Sequence, residues 1–174
     1  MNYAEIKYCD IANGSGTRTT LFVSGCTHHC AECFQPQTWN FDFGEPFTRK
    51  VEDELIESMR PSHIRGLTLL GGEPMEKSNQ EGLLPLVRAV RQTYPDKTIW
   101  CFTGYDFEKD ILGYMIEEWE TTKELISYFD VMVDGEFQIE HKDLGLAFKG
   151  SSNQRTIMVQ ESLQKGRLCI WQPQ

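Results

Sequence analysis

The chain has 174 residues, 40% hydrophobic and 25% charged, an ordinary globular composition with enough length for one domain and a proper core. Its net charge of -9 argues against a nucleic-acid-binding surface. No apolar run is long enough to span a membrane, and Met1-Asn-Tyr-Ala-Glu5 lacks the basic and apolar parts of a signal peptide, so the expected location is the cytoplasm, where thiols stay reduced.

The first predicted element follows the turn-prone Asn13-Gly-Ser-Gly16: Arg18-Thr-Thr-Leu-Phe-Val-Ser24 is rich in β-branched and apolar residues and reads as a strand. A cysteine-rich loop begins directly at its C-terminal end. Thr48 is placed to cap a helix running to about Met59, with Val51, Leu55, Ile56 and Met59 on one face and Pro61 closing it. Gly66-Leu-Thr-Leu-Leu70 is a short apolar strand that ends in Gly71-Gly72-Glu73-Pro74. A second helix with a Leu83, Leu84, Val87 and Val90 stripe stops before Pro95. Thr98-Ile-Trp-Cys-Phe-Thr103 predicts a buried strand ending in Gly104-Tyr105. Asp106 caps a helical stretch carrying Ile111, Leu112, Met115, Ile116 and Trp119 and continuing to Leu125 and Ile126. Tyr128-Phe-Asp-Val-Met-Val133 then gives a fourth strand, ending in Asp134-Gly135.

Strand and helix alternate, which predicts an α/β fold with parallel strands and crossover helices. Each strand ends in a Gly- or Cys-containing loop, and such loops form the working face of β/α folds. A closed eight-fold barrel takes about 250 residues. This chain is shorter, so the expectation is an incomplete, open barrel over residues 1–155. Residues 156–174 form a tail of the same domain. Within it Thr156-Ile-Met-Val-Gln160 and Arg167-Leu-Cys-Ile-Trp171 pair as a hairpin through Gln164-Lys-Gly166.

The most informative segment is Cys26-Thr-His-His-Cys-Ala-Glu-Cys33. Three thiolates on one short loop can hold three irons of a cubane cluster, leaving the fourth iron open to a small molecule. Zinc is the alternative, taking the three cysteines plus His28 or His29 as a mixed tetrahedral set, although no second ligand pair follows downstream. Cys9, Cys101 and Cys169 are scattered singly and read as small hydrophobes.

This loop, together with Asn13-Gly-Ser-Gly-Thr-Arg18, Gly71-Gly-Glu-Pro74, Thr103-Gly-Tyr105, Val133-Asp-Gly135 and Gly150-Ser-Ser-Asn-Gln154, resembles the activating proteins of anaerobic (class III) ribonucleoside-triphosphate reductase. These are glycyl-radical activases of the radical S-adenosylmethionine (SAM) type. The resemblance spans about residues 1 to 155 and implies an open β/α barrel of the radical SAM type. It implies that Cys26, Cys30 and Cys33 ligate a [4Fe-4S] cluster and that SAM chelates the remaining iron. Gly71, Gly72 and Glu73 would meet the methionine amino group, and Glu32, Cys33 and Phe34 the adenine side. The implied partners are the large reductase subunit and a small electron donor of flavodoxin or ferredoxin type. An activase for another glycyl-radical enzyme, such as pyruvate formate-lyase, is the alternative within the family. Relatives usually have Gly where this chain has Glu32, so a slight readjustment of the backbone is expected there. His28 and His29 are expected to be surface residues of the loop.

Overall fold

The computed structural model describes residues 1–173. Seven strands form one sheet in the order β3-β1-β2-β4-β5-β6-β7. Its parallel centre is β2 (Thr17–Val23), β4 (Ile64–Gly71), β5 (Thr98–Phe102) and β6 (Val131–Asp134). Antiparallel strands flank it: β1 (Asn2–Asp10) and β3 (Glu45–Pro46) on one side, β7 (Arg155–Met158) on the other. The two edge strands, β3 and β7, do not meet, so the sheet is open. The central strands follow one another in chain order, each separated from the next by helix.

Those helices are α1 (Arg49–Ser58), α2 (Lys77–Thr93), and a π-helix (Phe107–Met115) that runs into the short α3 (Ile116–Glu118) and α4 (Glu120–Ser127). Side chains alternate across a strand. Leu21 and Val23, Leu67 and Leu69, Ile99 and Cys101, and Met132 share one core with Leu55, Leu83, Val87, Ile111 and Leu125 from the helices. The alternate positions face the other side of the sheet, where Leu70 and Phe102 line a cleft.

Thr48 caps α1 as expected, its hydroxyl accepting from the Val51 N–H. The Asp106 carboxylate likewise accepts from the N–H groups of Glu108 and Lys109. The turn that follows is wider than an α-turn, because the Asp106 carbonyl also accepts from Ile111 at 3.1 Å, five residues on. The tail differs from the expected hairpin. Val159–Lys165 is a helix, α5, closed by Gly166 in the left-handed conformation. The two extended segments still meet around that helix, through Met158 N–H to the Cys169 carbonyl and Trp171 N–H to the Thr156 carbonyl, both at 2.8 Å. Trp171 then packs edge-on against Trp100 and Phe148.

Candidate functional site

The loops that leave the C-terminal ends of β2, β4, β5 and β6 surround a cleft of about 620 Å³. Cys26, Cys30 and Cys33 all line it, as do Phe34, Gly71, Gly72 and Glu73. Glu32 is exposed and stands outside the lining residues. Its φ of 53° is left-handed, the region a glycine occupies without strain. The loop therefore keeps the backbone that a glycine would give, and Glu32 carries the strain, about 1 kcal/mol.

The cysteine loop is held by main-chain bonds on both sides. Gly25 N–H donates to the Thr38 carbonyl at 2.7 Å, and the Gly25 carbonyl accepts from Glu73 N–H at 2.8 Å. Gly72 N–H donates to the Val23 carbonyl at 2.8 Å. Both glycines also serve the packing of the protein itself. A Cβ on Gly72 would stand 2.5 Å from the Gly25 carbonyl oxygen and 3.0 Å from that of Thr38. Gly71 has a φ of 110°, and a Cβ there would meet Val23 backbone at 2.7 Å. The absent side chains thus let the turn after β4 press against the cysteine loop.

Polar side chains complete the attachment. Asn79, in the first turn of α2, donates to the carbonyls of Ser24 and Glu73 at 3.0 and 2.9 Å. Glu76 accepts from the Thr27 N–H at 2.8 Å and from the Thr27 hydroxyl. His28 is no surface residue: its Nε2 lies 3.0 Å from Glu73, its Nδ1 2.8 Å from Glu136, and its ring packs on Tyr105. Burial opposes charge on this imidazole, but the bonds to Glu73 and Glu136 outweigh it and raise the pKa to about 9, so both nitrogens donate. His29 sits in the left-handed region and stacks on Trp39. Glu73, Glu76 and Asn79 lie within seven residues of one another, on the turn after β4, at the cap of α2 and in its first turn.

The donor set suits an iron–sulfur cluster. Burial pushes the Cys26 thiol up to about 12, and burial followed by the Glu136 charge raises Cys30, so neither carries a free thiolate without a metal to neutralise it. With both its nitrogens occupied by carboxylates, His28 is not available as a zinc ligand. Among the described residues no three His, Cys, Asp or Glu side chains are gathered closely enough to hold one metal ion. A cubane asks for less, since each thiolate meets its own iron. The buried Trp39 Nε1, on a residue that lines the cleft, has no partner among the described residues and remains a donor for a bound group.

The far wall comes from residues 137–154. Phe137, Leu144, Leu146 and Phe148 give it an apolar surface, and Lys149 adds a cation. Gln154 braces this wall, accepting from Gly150 N–H at 2.9 Å and donating to the Gly135 carbonyl at 2.9 Å. Val133–Gly135 and Gly150–Gln154 stand out in the sequence as family motifs, but the apolar strap between them does not. Its residues are spaced irregularly through a segment with little regular structure.

A family model described as a 4Fe-4S single cluster domain matches residues 12–157. The chain belongs to that family. It is also 42% identical to the anaerobic ribonucleoside-triphosphate reductase-activating protein of Vibrio cholerae, over 88% of this chain and 96% of the relative. The protein of the same name from Escherichia coli is 39% identical over the same shares. That of Enterobacteria phage T4 is 40% identical over 89% of this chain and 92% of its own length. Likeness of this degree over nearly full length makes the chain a member of the reductase-activating proteins. No helix among the described residues is long and apolar enough to cross a membrane.

Proposed function

We propose that the cleft holds a [4Fe-4S] cluster on Cys26, Cys30 and Cys33, with SAM beside it, and that the protein activates an anaerobic ribonucleotide reductase. The observation that carries this reading is the convergence of three thiols from one loop with the Gly71-Gly72 backbone on a single cleft. When bound, the cluster supplies the one electron that cleaves SAM to methionine and a 5′-deoxyadenosyl radical, which takes a hydrogen from the Cα of a glycine in the large reductase subunit.

The chain's own part is orientation and exclusion of water. The cysteine loop is fixed over the sheet by Glu73, Glu76 and Asn79. Main chain at Gly71-Gly72 offers polar groups to the methionine end of SAM, and Cys33 and Phe34 line the side taken by adenine. Glu32, lying outside the cleft lining, shapes the loop instead of contacting the cofactor. Phe137, Leu144 and Phe148 present an apolar wall to an incoming peptide segment. Glycine suits that segment because it can enter close-packed space. The open sheet is read as the partial barrel of the radical SAM type, its missing side leaving room for a protein substrate. The electron comes from a small flavodoxin- or ferredoxin-type donor, and the reaction takes place in the cytoplasm.

The test is anaerobic incubation of the reconstituted protein with SAM, a one-electron reductant and the large reductase subunit. A doublet paramagnetic resonance signal on the reductase is expected, with deuterium passing from labelled glycine into 5′-deoxyadenosine. SAM cleavage that leaves the reductase radical-free while pyruvate formate-lyase is activated would overturn the substrate assignment and keep the chemistry.

A further inference from the structure

The Glu73 carboxylate has no acceptor position left for a ligand. An ionised carboxylate offers about four lone-pair sites, and four donors fill them here. Met75 N–H and the Thr103 hydroxyl reach Oε1 at 2.8 and 2.7 Å, while Gly104 N–H and His28 Nε2 reach Oε2 at 2.7 and 3.0 Å. The residue is 1% exposed. Its partners stand on three different segments: the turn after β4, the loop after β5 and the cysteine loop. His28 extends the chain of contacts to Glu136, beyond the end of β6. One line of polar bonds therefore crosses the ends of all four parallel strands and passes between the first two cysteines.

We propose that Glu73 and His28 are positioning residues, whose mutual bond sets the place of the cysteine loop over the sheet, and that Glu73 acts on the cofactor site through this link without touching SAM. The proposal rests on the reading of the cleft as a cluster and SAM site. A direct contact and a clamp leave different marks on a double-mutant cycle. A contact to the SAM ammonium belongs to Glu73 alone, whereas a clamp is broken equally from either end.

The variants are Glu73→Gln, His28→Gln and the double substitution, in the full chain. Three quantities are read: amide hydrogen exchange over residues 26–33 before cluster reconstitution, the resonance spectrum of the reduced cluster, and the SAM dissociation constant. Each single substitution is expected to speed exchange of that segment at least about tenfold and to shift the cluster spectrum in the same direction. The two are expected to weaken SAM binding to within about threefold of each other, with the double variant no more than about threefold worse than either. The proposal is overturned if Glu73→Gln weakens SAM binding tenfold or more with wild-type exchange, or if the two effects multiply. Should Glu73→Gln fail to fold, His28→Gln decides alone, and wild-type exchange and affinity in that variant would reject the clamp. A wild-type protein that holds its cluster but does not respond to SAM would instead end the functional reading, while the exchange rates still judge the link between the two residues.

Discussion

At the N-terminal ends of the parallel strands the chain buries a cation, and at their C-terminal ends it buries an anion. Arg18, 1% exposed, donates five hydrogen bonds, to Thr68 Oγ1, Thr98 Oγ1 and the carbonyls of Ser15, Leu67 and Thr98. No carboxylate is among these acceptors. Its guanidinium lies over the Trp100 ring, and burial lowers its pKa to about 10, leaving it charged at neutral pH. Glu73 is equally saturated, yet its donors lie on loops and a helix start, while most of the acceptors of Arg18 belong to neighbouring strands. The ion at one end fastens strands to one another. The ion at the other fastens loops to the sheet, where chemistry needs placement within a fraction of an ångström.

The sharpest separation of the two ends comes from the cysteines. Replacing Cys26, Cys30 or Cys33 by Ala is expected to take bound iron from about four per chain to less than half of that, measured after anaerobic reconstitution. Replacing Cys9, Cys101 or Cys169 is expected to leave iron content unchanged.

A pair of glycines comes next. At Gly66 a Cβ would stand 1.8 Å from the Thr98 carbonyl oxygen, in the strand pairing beside Arg18. Gly66→Ala and Gly72→Ala are each expected to cost about 2–4 kcal/mol in thermal or denaturant unfolding, through backbone collision. Only Gly72→Ala is expected to lower cluster occupancy, because its clash falls on the Gly25 and Thr38 carbonyls that carry the cysteine loop. Equal cluster loss in both would erase the distinction between the ends.

Arg18→Met tests the strand fastener directly. It removes five donors and leaves their acceptors buried, at an expected cost of about 2–3 kcal/mol, or a melting temperature lower by about 4–10 °C. Reconstituted iron content is expected to stay at the wild-type level. The smallest effect is expected at Trp171, whose edge-on contacts with Trp100 and Phe148 close the same end. Trp171→Leu is expected to cost about 1 kcal/mol, read by chemical denaturation.

The parallel centre of the sheet was legible because its strands are short apolar runs between strong punctuation: Gly16 and the cysteine loop, Gly71-Gly72, Gly104, Gly135. β1 was not. Its Glu5, Lys7 and Asp10 break the apolar pattern, and Cys9, at φ 58°, marks an irregularity where the register with β2 shifts. The tail reads as a hairpin because its extended ends do pair. The helix between them is only seven residues long, too short for a clear period. In the site, the cysteines and the glycine turn announce themselves by spacing. The role of His28 depends on Glu73, 45 residues away, and on Glu136, 108 residues away, and sequence spacing says nothing about such partners.

The backbone bonds of Gly25, Cys26 and Gly72, with the Glu76 and Asn79 contacts, tie the start of the cysteine loop to the rest of the protein. These bonds need no metal, unlike the fold of a zinc finger, whose metal affinity is its folding energy. Stripping the iron with a chelator is expected to leave the far-ultraviolet circular dichroism of the chain unchanged. A chain that keeps its fold in that measurement is one whose cluster can be replaced after oxidative damage with no new round of folding.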